Sequence, residues 1–204
     1  MKVTLLSLKF CWILVLTTLI PGSQAAAQSS NTTAPPAQRS AITIHVSKSG
    51  VFSGFAHNHV VVAPITQANV DPAGLTAEIT VVTKEMKVTD PDVSEKDRAE
   101  IQSTMLGPKV LDQEKFPEIH FKSSHIEQTS SQHYRVVGML ELHGTKHEVT
   151  LEVTGGPEHY HGATKLKQSD YGIKPISLGG GSVKVKDELE LEFDVYAASP
   201  ANSR

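Results

Sequence analysis

Histidine is the residue type in this chain whose spacing first suggests chemistry. The 204-residue sequence holds ten histidines, and two pairs are separated by one residue, His57 with His59 and His159 with His161. Alternate residues of a β-strand point to the same face, so either pair could direct two imidazoles at one metal ion. No HExxH motif and no cysteine cluster supplies further ligands. Ordinary hydrogen bonding is the simpler interpretation, and a metal-binding protein or metalloenzyme using His57 and His59 stays as the alternative.

Other enzyme classes leave no motif in the sequence. The single cysteine, Cys11, lies near the N-terminus, which excludes a disulfide framework and a thiol nucleophile in the body of the chain. GxSxG is absent, and the glycine run at 179–181 precedes a predicted strand rather than a helix. The formal net charge is −3, so no basic excess points to nucleic acid. We therefore predict a protein that is not an enzyme, needs no cofactor and binds no nucleic acid.

The first 27 residues have the three-part plan of a secretory signal peptide. Lys2 and Lys9 flank the start, an apolar run occupies residues 10–20, and small residues follow a Pro-Gly break. Such a run is shorter than the roughly 20 residues that cross a bilayer. We therefore predict a signal peptide over residues 1–27, a periplasmic or secreted mature protein, and no membrane span after cleavage.

The segments on either side of the body of the chain are polar. Residues 28–40 are proline-rich and predict a flexible leader, and residues 198–204 predict a flexible tail. Asn31 begins a glycosylation sequon, which matters only in a host that modifies such sites. Residues 41–197 are long enough to fold as one domain around a single core.

Apolar and polar residues alternate through this body, most clearly where Leu189, Leu191, Phe193 and Val195 alternate with acidic residues. One buried face and one wet face are typical of an antiparallel sheet. Turn-forming residues separate the runs, and short, regular connections predict a β-sandwich or an up-and-down barrel. The predicted strands lie at 41–46, 51–55, 59–63, 75–81, 118–127, 133–142, 148–154 and 188–195.

One segment departs from the period of two. Residues 94–106 carry apolar residues at helical spacing, and Ser94 with Asp97 resembles a capping box. Gly107 and Pro108 then end the run. The sequence therefore predicts one short helix inserted among the strands.

Four segments, in this order, resemble the YceI-like proteins, an exported lipid- or polyisoprenoid-binding family with a lipocalin-like barrel. Together they lie within residues 41–197, behind the predicted signal peptide. They are FSGFAHNH at 52–59, the helix and the segment that follows it to FPEIHFKS at 116–123, GMLELHGTKHEVTL at 138–151, and QSDYGI at 168–173 with VKDELEL at 185–191.

The resemblance implies an all-β fold, an antiparallel up-and-down barrel of about eight strands with one short inserted helix. It also implies a hydrophobic cavity that holds an isoprenoid or fatty acyl chain without covalent chemistry. His57 and His59 would orient the headgroup of that ligand. The apolar residues expected to line the cavity, of which strand alternation lets only some face inward, are Phe55, Met105, Leu106, Phe116, Ile119, Phe121, Met139, Leu140 and Leu142.

Two segments depart from the family pattern. Asn58 stands between the two histidines where members often have aspartate, and QSDYG at 168–172 replaces a segment that many members begin with arginine. Both changes imply a more polar mouth to the cavity. The expected partner is an apolar, lipid-like small molecule whose class these departures leave open.

Overall fold

The computed structural model describes residues 39–49, 58–71, 73–178, 180 and 182–196. The predicted signal peptide, nearly all of the predicted leader with Asn31, and the C-terminal tail lie outside the described residues. The predicted strand at 51–55 also lies outside them, as do two of the predicted site residues, Phe55 and His57.

The described part of the chain forms ten strands and one helix. Short 3-10 turns occupy Thr83–Glu85 and Gln168–Tyr171. The longer elements, in chain order, are β1 Ala41–Ser49, β2 His59–Asp71, β3 Thr76–Val82, β4 Lys87–Val88, α1 Glu95–Leu106, β5 Glu118–Ser130, β6 His133–Leu142, β7 Thr145–Gly156, β8 His159–Lys167, β9 Ser177–Leu178 and β10 Val183–Tyr196.

Eight of these strands close into a barrel. Each pairs antiparallel with its neighbours in the order β1, β10, β8, β7, β6, β5, β3, β2, and β2 pairs again with β1. The two-residue strands are additions, β4 beside β2 and β9 beside β10. Because the barrel is closed, each of its eight strands is paired with a neighbour on both sides. The predicted all-β antiparallel barrel with one inserted helix is confirmed.

Strand β8 is the long barrel strand that the hydrophobic pattern does not predict. Its inward positions alternate as Tyr160, Gly162, Thr164 and Leu166, of which Gly162 and Thr164 carry no apolar signal. It nevertheless pairs with β7 and β10 along most of its length. Backbone pairing in a closed sheet therefore fixes this strand where side-chain pattern alone could not.

A β-bulge explains why the apolar pattern of β5 changes phase. Phe121 and Ile126 both line the barrel interior, although five positions separate them and strict alternation would put them on opposite faces. The register with β6 shifts between Ser123 and His125. The extra residue of a bulge reverses the parity of the strand, so both ends of β5 keep an apolar side toward the interior.

A tight two-residue turn joins β6 to β7. His143 and Gly144 have φ values of 51° and 72°. Positive φ at both central residues is the signature of a type I′ turn, whose twist matches that of the flanking strands. Gly144 suits the left-handed conformation at no steric cost.

Helix α1 lies across one end of the barrel and is fastened there by polar side chains. Ser94 accepts a hydrogen bond from the Asp97 N–H at 3.1 Å, which confirms the predicted N-cap. The amide of Gln102 accepts from the Val88 N–H and donates to the Met86 carbonyl oxygen, both at 2.8 Å. The helix is thereby tied to the segment around β4, although only Met105 of its residues is fully buried.

The 3-10 turn at Gln168–Tyr171 is held by a carboxylate from β10. Asp187 accepts hydrogen bonds from the Ser169 N–H at 2.8 Å and from the Ser169 hydroxyl at 2.6 Å. These hydrogen bonds hold the pKa of Asp187 below its ordinary value of 3.8, and the bond from the Ser169 hydroxyl has the larger effect. The turn in turn places Tyr171, one of the most buried side chains, in the core.

Asp187→Asn is expected to destabilise the fold only where the wild-type carboxylate is ionised. A depressed pKa in the folded state adds stability above the unfolded pKa, and that stability is lost as pH falls through the folded value. At about pH 7 we expect a cost of about 1 kcal/mol, since the pair is exposed, or about 2–4 °C in melting temperature. Circular dichroism melts at about pH 7 and about pH 2.5 measure the difference, which should be smaller at the lower pH, where more of the wild-type carboxylate is protonated. Asp170→Asn in the same turn is the matched control, and an equal loss there would contradict the assignment.

Candidate ligand-binding cavity

The barrel encloses a cavity of about 470 Å³ at the end covered by α1. Strands β1, β2, β5, β6, β8 and β10 supply apolar side chains to its wall, because inward positions of these strands alternate with outward polar ones. The helix contributes Ile101 and Met105. The polar residues of the lining are Ser47, Lys48, His59, Asp97, Glu100, Thr104, Gln168 and Lys184.

A second cavity, of about 150 Å³, lies toward the opposite end of the barrel. Its wall is almost wholly apolar, and Tyr134 and Tyr160 contact each other edge to face there with ring centroids 6.1 Å apart. Burial raises the pKa of the Tyr160 hydroxyl, as expected beside apolar surface. The residues that line both cavities are Ile42, Leu140, Leu166 and Leu191.

Five of the apolar residues expected to line a cavity lie at one of these walls. Met105, Ile119 and Leu142 face the larger cavity, Phe121 faces the smaller one, and Leu140 faces both. All but Met105 occupy inward positions on the adjacent strands β5 and β6. The structure therefore brings these side chains to one interior surface.

Three others lie elsewhere. Leu106, the last residue of α1, packs against the buried core. Phe116 stands just before β5 with its ring centroid 4.4 Å from that of His143. Met139 is 41% exposed because its position on β6 points outward, between the inward Gly138 and Leu140. Strand alternation thus separates Met139 from Leu140, its neighbour in the sequence.

His59 lines the larger cavity and is held by a buried carboxylate. Its Nδ1 lies 2.6 Å from Oδ2 of Asp90, whose side chain is only 4% exposed. The other carboxylate oxygen accepts the Val60 N–H at 2.6 Å. With Nδ1 donating to Asp90, the ring orientation is fixed and Nε2 is the nitrogen left to meet a ligand.

Asp90 also connects the barrel wall to the helix. Arg98 of α1 donates to the Asp90 carbonyl oxygen from Nε at 3.1 Å and from Nη2 at 2.8 Å. This role does not follow from local pattern, since Asp90 stands in a Thr-Asp-Pro-Asp turn and lies 31 positions from its partner His59. The one available signal was an aspartate before proline, which marks a turn but not a partner.

Removal of the Asp90 carboxylate is expected to destabilise the helix end of the barrel. Asp90→Ala leaves the part-buried Val60 N–H without its acceptor, which costs about 1–3 kcal/mol, whereas Asp90→Asn keeps one acceptor and costs less. The exposed neighbour Asp92 provides the control, since Asp92→Ala should change stability by no more than about 0.5 kcal/mol. Urea unfolding measures all three, and equal values for Asp90→Ala and Asp92→Ala would show that the carboxylate has no structural role.

The second histidine pair lies on the outer face of β8. His159 Nε2 and His161 Nδ1 are 2.7 and 3.1 Å from the same oxygen of Asp194 on β10, and His159 stacks on Tyr196. Partial burial raises the pKa of Asp194, but the hydrogen bonds from the two imidazoles lower it by more. The pKa of Asp194 therefore lies below its ordinary value of 3.8. The two imidazoles share a strand face, as their spacing predicts. Among the described residues, no group of three or more histidine, aspartate or glutamate side chains is placed to hold a metal ion.

Tyr171 carries a buried hydroxyl for which the described residues offer no hydrogen-bond partner. Its ring lies edge to face with that of His147, with centroids 5.2 Å apart. Burial is the main cause that raises the pKa of this hydroxyl, and the negative charge of the nearby Asp170 raises it further. Its aromatic packing, rather than its polar group, is what the core uses.

Tyr171→Phe is therefore expected to be at least as stable as the wild type. The change removes a desolvated polar atom and keeps the ring, and relief of such a group is worth about 1 kcal/mol. Thermal melts at neutral pH provide the measurement. A clear loss of stability would show instead that the hydroxyl has a partner, such as a buried water.

A closed antiparallel barrel of eight strands with an apolar interior is an architecture that can hold one small ligand. The YceI-like domain family matches residues 34–197, so this chain belongs to that family. No curated protein matches the sequence.

Several solved structures are similar to this chain, among them the following two. The crystal structure of Burkholderia cenocepacia BcnA is similar over 78% of this chain and 96% of its own, with 20% identity and a TM-score of 0.60. That of the Campylobacter jejuni YCEI protein is similar over 65% of this chain and 79% of its own, with 15% identity and a TM-score of 0.51. At these identities the likeness is one of fold.

Proposed function

We propose that this protein is an exported carrier that holds an isoprenoid or fatty acyl chain in its barrel without covalent chemistry. The observation that carries the proposal is the cavity of about 470 Å³, whose barrel wall is mainly apolar while its charged groups are supplied largely by α1 and by the ends of strands. Cavities of this size and character are typical of small-molecule sites. Membership of the YceI-like family supports the same ligand class.

Burial of a hydrocarbon chain supplies enough free energy for such binding. Each methylene transferred from water gives about 0.8 kcal/mol, so ten of them give about 8 kcal/mol before ordering costs. An apolar wall offers a polar ligand nothing comparable, since buried polar groups need partners. The proposed lining consists of Met105, Ile119, Phe121, Leu140 and Leu142, with Leu106 packed behind it. Phe116 and Met139 are left out of this lining.

The polar end of the ligand is proposed to meet His59. Asp90 fixes the tautomer and orientation of this ring, so that Nε2 can donate to or accept from a headgroup. His57 and Phe55 remain part of the proposed site on the strength of the sequence. Lys48, Glu100 and Lys184 lie at the same end and would add charge-assisted contacts.

Export is proposed from the N-terminal segment, with cleavage after residue 27 and a periplasmic or secreted destination. Within the part of the chain that the structure describes, no helix has both the length and the apolar character needed to span a bilayer. We propose a binding protein rather than an enzyme, since the contacts around the cavity serve to orient and enclose a ligand.

Two adjacent residues of β6 provide the test, because one faces the cavity and the other faces outward. Leu140→Lys places a charge inside both cavities and should weaken binding of palmitate or geranylgeraniol at least about tenfold. Met139→Lys places the same charge on the exposed face and should leave binding unchanged. Native mass spectrometry of the mature protein, with organic extraction of any co-purified chain, provides the measurement.

A second variant guards against misfolding of Leu140→Lys. Leu166→Trp keeps the interior apolar but fills the level where the two cavities meet, so it should lower uptake while circular dichroism stays that of the wild type. If wild type, Leu140→Lys and Leu166→Trp take up chains equally, or if the wild type takes up none, the carrier function is wrong.

A further inference from the structure

Two phenylalanines stand beside the level where the two cavities meet. In the sheet register, Phe121 on β5 pairs with Leu140, and Phe193 on β10 pairs with Ile42. Both partners belong to the set that lines the two cavities together, whereas the two phenylalanines belong to the wall of the smaller cavity alone. Aromatic rings thus begin where the larger cavity ends.

Each ring is seated on a glycine of the neighbouring strand. A Cβ atom built at Gly138 would lie 2.5 Å from the ring of Phe121, and one built at Gly162 would collide with the ring of Phe193. Both glycines occupy inward positions and are buried. The missing side chains make room for the rings, so each ring lines the interior while one of its sides packs against the backbone of the neighbouring strand.

We propose that Phe121 and Phe193 set the greatest chain length that this barrel accepts. The inference rests on the proposed function and names a property of the same cavity. A chain that enters from the helix end fills the larger cavity and then meets the rings of Phe121 and Phe193. Each ring packs against a neighbouring strand, which limits how far the ring can move aside. The smaller cavity, of about 150 Å³, lies beyond them and stays out of reach of the chain.

A rigid stop predicts a break in the dependence of affinity on chain length. Each methylene that finds apolar surroundings improves the dissociation constant about fourfold, which corresponds to about 0.8 kcal/mol. Once the chain reaches the rings, further methylenes stay in water or force the rings to shift, and the gain stops. The carbon number at which the gain stops is therefore the quantity that the phenylalanines control.

The experiment measures dissociation constants for straight-chain fatty acids from octanoate to eicosanoate, by titration calorimetry on the mature protein. The wild type should gain about fourfold per methylene up to a break and then level off. Phe121→Ala and Phe193→Ala should each move the break to longer chains, and the double variant should move it furthest, since both changes open a path into the smaller cavity.

Phe116→Ala is the matched control. Its ring also lies against a glycine, Gly144, but it packs on His143 rather than at either cavity wall. It removes the same side-chain volume and should leave the break where the wild type has it. Phe121→Leu and Phe193→Leu replace the alanine variants if those fail to fold, with a smaller shift in the same direction.

The outcomes separate this inference from the function on which it rests. Binding of short chains with a break that stays fixed in the Phe121 and Phe193 variants overturns the length limit and leaves the carrier function standing. An equal shift in Phe116→Ala overturns it as well, because general loosening would then be the cause. Absence of binding by every fatty acid of the series and by geranylgeraniol in the wild type overturns both proposals together.

Discussion

A closed sheet has only one inside, and this constraint governs the whole molecule. Every barrel strand must send alternate side chains toward the same interior, so a single residue of slippage would exchange an apolar face for a charged one. The bulges in β2 and β5 show how strictly the rule is kept, since each restores the apolar face after the pattern changes phase. The cavity exists because this inward face is apolar but its side chains do not reach across the interior.

The same constraint explains which parts of the structure the sequence could predict. Alternation predicts β3, β5, β6, β7 and β10, and capping residues predict α1, because these signals are local. Strand β8 has glycine and threonine at inward positions, so its place follows only from pairing with two neighbours. Pattern alone also fails to distinguish a filled core from a cavity, since both require the same apolar face.

The candidate site was predictable to a similar extent. Residues on β5 and β6 face the interior because their parity puts them there, and Met139 does not for the same reason. The partnership of His59 with Asp90 joins residues far apart in sequence, and the seating of Phe193 on Gly162 joins two strands. Such contacts depend on which strands become neighbours, and hydrophobic periodicity carries no information about that choice.

The pairing of the first barrel strand with the last has a consequence for how the chain must acquire its structure. Ala41 of β1 lies opposite Asp194 of β10, so the final seam joins residues from the two ends of the domain. Contacts between residues so far apart in the sequence slow folding, because the chain loses conformational entropy before these contacts form and compensate for that loss. Until β10 is available, β1 and β8 each present an edge on which other chains could pair and aggregate. A chain of this topology therefore avoids exposing these two edges if its barrel does not begin to form until the last strand, β10, is available.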